Sequence, residues 1–413
     1  MPDTVALAFS GGLDTSYCVL DLIKRGYRVV TLFVDTGGVT PERKKWIRDR
    51  ALSLGSAAHH ETDGSAPLWD DIVVPFVMGG APYAGAYPLL CADRTVIADA
   101  LATLARQIGA SAVAHGCTAM GNDQVRFDLA LRSLVDLPIL APIRDLQGAV
   151  DRPRVYEAEV LRSAGFEVGI DEKRYSINEN LLGVTMSGSE IDDFAAPDDT
   201  AARRLVAPRA QWPTQPLSIR LTFDAGRLVA LDGASIDGPT MLRTLNERFG
   251  AYGVGRSIYT GDTVIGLKGR ILFEAPGLLT MIAAHKALED ATLSRSQAAF
   301  KPMVASKWTE LMYAGLYHDP LRLDLERFIR STQQRVTGDV VLRTEGGSVL
   351  PVQVRSEHLL VDRSATYAQH ADWSAADAEG FIRLFGLSSA MWCRRQAPAH
   401  SEAKPLGAPA WTA

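Results

Sequence analysis

Seven consecutive residues, Ser10-Gly11-Gly12-Leu13-Asp14-Thr15-Ser16, bring hydroxyls, a carboxylate and two glycines into one turn. The glycines let the backbone bend tightly and approach a ligand with no Cβ in the way. An apolar run from Thr4 to Phe9 predicts a strand before the turn, and a helix opens at Leu13 after it. The free N–H groups and positive dipole end of a helix N-terminus favour an anion. The stretch therefore reads as a phosphate cradle, set against the plainer reading of an ordinary strand–turn–helix junction. Its spacing is not Gly-x-x-x-x-Gly-Lys-[Ser/Thr], which excludes the commoner nucleotide loop.

A second constellation runs from His115 to Phe127, a strand end followed by a Gly-containing loop and a polar helix start. Asn122 can donate and accept, Asp123 can bind an ammonium, and Arg126 can grip a carboxylate bidentately. Asn122 and Arg126 are four apart and share a helix face. This is recognition chemistry for amino acids or other small acids; the alternative is an N-cap with surface charges. A third stretch, Tyr175 to Gly183, reads as a polar loop and is weak evidence alone.

The elements that must position these groups follow from periodicity. Arg28–Val34 is short, apolar and β-branched and predicts a second strand. Between the two strands, Cys18/Leu22 and Val19/Ile23 pair at i,i+4 in a helix that Gly26 can stop. Pro41 to Leu54 predicts another helix; Ala112–His115 and Ile139–Pro142 predict later parallel strands. This alternation implies an α/β, doubly wound parallel sheet with ligands at the carboxyl ends of its strands. The Ser10 loop and His115–Thr118 both follow strands, so they can meet at one site. After about Asp171 the pattern turns to hairpins, at 218–230 and 340–354, with helices at 282–291 and 321–334, an α+β arrangement. Ser374 and Asp377 are spaced as a capping box before Phe381, Ile382 and Phe385. That terminal helix docks either on a neighbouring subunit or on its own domain. From Gln396 onward Pro, Ala, Gly and Ser predict a disordered tail. The expected division is 1–165, 166–365, a C-terminal oligomerisation helix in 366–395, and the tail 396–413.

A formal charge of −5 over 413 residues argues against a nucleic-acid substrate. No run approaches the ~20 apolar residues of a membrane span. Cys18, Cys91, Cys117 and Cys393 are scattered, with no Cys-x-x-Cys pair. Neither a zinc site nor a disulfide framework is expected, and a reducing cytoplasm fits.

The Ser10 loop resembles the pyrophosphate-binding loop of ATP pyrophosphatases, and its Leu-Asp-Thr-Ser form resembles the argininosuccinate synthase family. Thr118, Asn122, Asp123 and Arg126 match that family's amino-acid-binding motif position by position, with Ala119-Met120 in place of the usual Gly-Lys. Tyr175 to Leu181 is similar to its Tyr-Ser-x-Asp-Glu-Asn-Leu segment. Matches continue through Ala141–Asp145, Gly253–Arg256, Arg335–Gly338 and Asp377–Ile382. The resemblance implies an N-terminal domain of the adenine nucleotide alpha hydrolase-like type, an α+β synthetase and multimerisation domain, and a homotetramer. It implies ATP on Ala8, Phe9, Ser10, Gly11, Gly12, Leu13, Asp14, Thr15, Ser16, Val34 and Gly116. Aspartate would lie on Thr118, Asn122 and Asp123; citrulline on Tyr87, Asn122, Arg126, Ser176 and Thr185, the last replacing a family Ser. Asp14, Asp123 and Arg126 are the catalytic candidates. Mg²⁺ is expected with ATP, and Asp14 either lies on its side of the site or serves the helix start.

Departures from the family pattern cluster on the citrulline side. The family reads Tyr-x-x-Gly-Thr-Ser-Leu-Ala-Arg-Pro, whereas this chain has Tyr87-Pro88-Leu89-Leu90-Cys91-Ala92-Asp93-Arg94-Thr95-Val96. A citrulline-contacting Glu becomes Gly261, and a Tyr becomes Phe273. The expectation is an AMP-forming ligase that joins aspartate to an adenylated ureido or amide acceptor other than citrulline. The alternatives are a genuine argininosuccinate synthase and a non-catalytic nucleotide-binding relative.

Overall fold

Short apolar runs form a parallel sheet of β1 (Thr4–Ala8), β2 (Arg28–Asp35), β3 (Ala58–Asp63), β4 (Ala112–Ala114) and β5 (Ile139–Leu140). The computed structural model describes residues 2–168, 175–362, 365, 367 and 369–396. Strand order is β3-β2-β1-β4-β5, with β1 paired to both β2 and β4. The chain winds outward one way from β1 and then the other way from β4. This is the expected doubly wound sheet, and its switch point lies between β1 and β4.

Both faces of the sheet are apolar, as a buried parallel sheet requires. Val5, Leu7, Val29 and Phe33 pack with buried side chains of helices Leu13–Lys24, Pro41–Ser53 and Pro153–Ser163. Ala6, Val30, Leu32 and Val34 pack on the opposite face with helix Asp93–Ile108. Complete burial of each large aliphatic side chain contributes ~1.5–3 kcal/mol, so this core fixes the strand ends that carry the two loops.

Residues 169–174, where the sequence pattern changes, lie outside the described set. Beyond them, Tyr175–Gly183 departs from the expected loop. Ser176–Asn180 is strand β6, turning into β7 (Gly183–Ser187). With β10 (Arg256–Asp262) and β11 (Lys268–Glu274) they make an antiparallel sheet in the order β10-β11-β7-β6. The predicted hairpins appear as β8 (Leu217–Asp224) with β9 (Arg227–Leu231), and β12 (Gly338–Gly346) with β13 (Ser348–Arg355), in one further sheet. The predicted helices span Pro276–Thr292 and Pro320–Ser331.

All three sheets belong to one compact unit that runs to Leu359; a second begins at Leu360. In the second unit the capping box forms: Ser374 Oγ accepts from Asp377 N at 3.2 Å, and Asp377 Oδ2 accepts from Ser374 N at 3.0 Å. The expected single helix is two, Ala375–Phe385 and Leu387–Gln396, divided at Gly386. Phe381, Ile382 and Phe385 are 60–69 % exposed. Gln396 ends a helix, and the expected tail beyond it lies outside the described residues. No helix among the described residues is long and apolar enough to cross a membrane.

Candidate active site

The loops after β1 and β4 meet at the switch point. Gly12 begins the helix Leu13–Lys24 with no side chain capping its first N–H groups. Gly12 N donates to Ser10 Oγ at 3.4 Å, and Ser10 and Thr15 hydroxyls lie 3.3 Å apart. Bonds this long are weak, so the hydroxyls stay available to a ligand. Gly11 adopts φ +75°, and a Cβ there would lie 2.8 Å from Trp46 Cζ3. A Cβ on Gly116 would lie 2.9 Å from Thr15 Cγ2. The second loop thus rests directly on the first, bringing Gly116 against Thr15.

His115 pins that second loop. Its Nδ1 accepts from Cys117 N at 3.2 Å, so Nε2 carries the proton and donates to Asp128 Oδ1 at 2.8 Å. Arg144 Nη1 donates to Asp128 Oδ2 at 3.2 Å. Burial alone would raise the Asp128 carboxyl, but His115 and Arg144 outweigh it and hold it below the usual range.

Asp14 faces helix Pro153–Ser163, where Glu157 is 1 % exposed. Burial, then the Asp14 charge and hydrogen bond, push the Glu157 carboxyl up to about 8. The raised carboxyl of Glu157 thus answers the side chain of Asp14 at the start of the helix. That contact favours the helix-start role for Asp14. The sequence offered no signal for Glu157, one acid among several in an amphipathic helix.

On the amino-acid side, Asp123 lies between two guanidinium groups. Arg94 Nε donates to its Oδ2 at 3.1 Å, and Arg126 Nη1 to its Oδ1 at 2.9 Å. Burial would raise the Asp123 carboxyl, but Arg94 and Arg126 outweigh it and keep it charged. Arg126 is itself fixed by Nε donating to the Tyr313 carbonyl at 3.0 Å, and its guanidinium lies 4.9 Å from that ring. Asn122 Oδ1 accepts from Val264 N at 3.0 Å, which leaves its amide N–H groups for a ligand. Thr118 lies within the second loop, half-buried.

The remaining predicted contacts share one face of the antiparallel sheet. Thr185 is opposite both Asn178 and Phe273, Gly261 is opposite Gly269, and Ser176 is two residues from Asn178. Alternation along each strand puts Ser176, Thr185, Phe273, Tyr259 and Gly261 on the same side. Tyr87 meets that side, with its ring 5.7 Å from Tyr259 and 5.9 Å from Phe273 and Tyr313. Burial raises the phenols of Tyr87, Tyr259 and Tyr313, so the wall is uncharged. Asn180 Nδ2 donates to Leu90 O at 2.8 Å, and Leu181 N to Thr36 O at 2.7 Å. These bonds tie the second sheet to the 87–92 segment and to the end of β2. Val34, near that end, is buried beside Gly64.

Comparisons with known proteins match both halves of the chain. The arginosuccinate synthase N-terminal HUP domain matches residues 4–159, and the arginosuccinate synthase C-terminal domain matches residues 175–392. Argininosuccinate synthase of Xanthomonas campestris pv. campestris is 54 % identical over 390 residues, 94 % of this chain and 98 % of that one. The proteins of that name from Bacillus subtilis and Methanocaldococcus jannaschii are 37 % and 36 % identical, covering 93 % and 96 % of this chain and 94 % and 99 % of theirs. Matched by both family models and by relatives along nearly its whole length, the chain belongs to the argininosuccinate synthase family.

Proposed function

We propose that this chain is an argininosuccinate synthase, a C–N ligase that converts ATP, citrulline and aspartate to AMP, pyrophosphate and argininosuccinate. The observation that carries the reading is the meeting of the phosphate loop with the Thr118–Arg126 motif across β1 and β4, facing Ser176 and Thr185. In the first step the ureido oxygen of citrulline attacks the α-phosphate, and pyrophosphate leaves into the Ser10–Ser16 cradle. In the second the aspartate amine attacks the activated carbon and AMP leaves. Asp123 holds the amine end of aspartate, and Arg126 orients the carboxylate of citrulline. The chain's contribution is positioning and charge stabilisation by fixed donors. No cluster of three His, Cys, Asp or Glu among the described residues suits a metal ion. Mg²⁺ would therefore arrive on the triphosphate, as it commonly does.

A changed acceptor, suggested by Ala92, Gly261 and Phe273, has less support. Relatives 53–54 % identical over 94 % of this chain carry the argininosuccinate synthase name. The pocket's missing carboxylate favours this second reading all the same, so the acceptor is the point to measure. The test is nucleotide chromatography and mass spectrometry after incubation with ATP, aspartate and citrulline. AMP and argininosuccinate should appear in equal amounts. ADP as the product, or AMP release indifferent to citrulline, would defeat the reading. The exposed apolar residues of the terminal helices support a homotetramer, which light scattering would measure.

A further inference from the structure

Asp93 and Arg94 are neighbours in the first turn of helix Asp93–Ile108. The pair places a salt bridge at positions that an apolar side chain could fill. Arg94 Nη1 donates to both Asp93 oxygens at 2.6 Å. The two side chains are 12 % and 4 % exposed. A buried pair of this kind is weak evidence for stability, since desolvation offsets much of the attraction. Its position is more telling. Arg94 Nε reaches on to Asp123, while Nη2 meets no acceptor among the described residues.

Arg94, Asp123 and Arg126 therefore alternate plus, minus, plus, with the two arginines on opposite oxygens of one carboxylate. A four-carbon amino diacid alternates minus, plus, minus. Arg126 is committed to the tyrosine wall through the Tyr313 carbonyl. Arg94 rises from helix Asp93–Ile108 with a donor to spare. We propose that Arg94 binds a carboxylate of the amino donor and sets selectivity for aspartate over amines that lack a second acid group. The donor's ammonium takes Asp123, and its carboxylate takes the unengaged Nη2 of the Arg94 guanidinium. This inference rests on aspartate being the donor.

Three variants test it: Arg94→Ala, Arg94→Lys, and the double variant Asp93→Leu/Arg94→Ala. The double variant removes both ends of the buried pair and strands neither charge. Steady-state KM values for aspartate, citrulline and ATP are measured, with melting temperature as the folding control. Losing one charge-assisted contact should raise the aspartate KM ~10–100-fold. The citrulline and ATP values should stay within about twofold. Arg94→Lys should recover part of the loss, because an ammonium offers charge without the fork. An unchanged aspartate KM in the folded double variant overturns the proposal. An equal rise in all three KM values overturns it too, because that pattern marks a purely structural role. Wild-type protein that releases no AMP with aspartate would remove the underlying ligase reading, and this proposal with it.

Discussion

A side chain at Gly261 would begin on the Tyr259 hydroxyl; an added Cβ would lie 2.7 Å from Tyr259 Cζ. The two residues share one face of β10, and the phenol donates to the Asp262 carbonyl at 3.0 Å. Its ring also packs against Tyr83 and Tyr87. The ground from which the family Glu would reach citrulline is thus held by a neutral aromatic side chain.

The Tyr259–Gly261 relationship makes a prediction about repairing the family pattern. Gly261→Glu alone should not strengthen citrulline binding. It should destabilise the fold by ~1–3 kcal/mol, the usual effect of overpacking, and raise the citrulline KM. Removing the obstruction with Tyr259→Ala in the same chain should relieve part of the loss. Melting temperatures and citrulline KM values of the single and double variants decide this. A Gly261→Glu protein with wild-type stability and tighter citrulline would show that Tyr259 moves freely.

Asp123 is the shared acceptor of two guanidinium groups, so its loss is felt twice. Asp123→Ala removes the group for the donor ammonium and leaves Arg94 and Arg126 without their common partner. It should lose ~2–4 kcal/mol of transition-state stabilisation. Asn122→Ala should lose a similar amount and also free the Val264 backbone. Near wild-type kcat/KM for aspartate in both variants would take this pair out of the site.

The second loop's close approach to the first gives a cleaner test of ATP binding. Gly116→Ala pushes a Cβ to 2.9 Å from Thr15 Cγ2, against a side chain at the start of a helix rather than a flexible tip. The expected effect is an ATP KM raised ~10-fold, about 1.4 kcal/mol, with little change in melting temperature. Titration with a nucleotide reads it directly. An unchanged ATP KM would place the nucleotide away from Gly116.

Much of this arrangement was legible in the sequence because it is local. The Ser10–Ser16 turn announces itself through paired glycines between an apolar strand and a helix start. Asn122 and Arg126 declare a common face by their spacing. The hairpin Ser176–Ser187 was not legible. β6 is an edge strand carrying Asn178, Glu179 and Asn180, so it shows none of the apolar alternation that marks a strand. The Arg94–Asp123 and Glu157–Asp14 contacts join residues 29 and 143 apart in the chain. Their meaning exists only once the sheet has brought the helices together. The same holds for Gly261, whose replacement partner is visible only in the strand's own geometry.

Glu157 supplies a prediction in pH. Its carboxyl stands at about 8 in the folded protein, against ~4.3 in an unfolded chain. Between those values the folded state keeps the proton and the unfolded state gives it up, so stability falls as pH rises. The contribution is fully present below about pH 4 and is lost as pH passes through about 8. Glu157→Gln keeps a donor for Asp14 and has no proton to lose. Its melting temperature should therefore depend less on pH than the wild type's between about pH 5 and 8. Glu157→Ala should be less stable than Glu157→Gln near neutrality, and its ATP KM should rise as the start of helix Leu13–Lys24 loosens. Melting curves of the three proteins across that range provide the measurement. Parallel pH profiles for wild type and Glu157→Gln would mean that Glu157 is ionised beside Asp14, and that the two carboxylates hold the helix start apart rather than together.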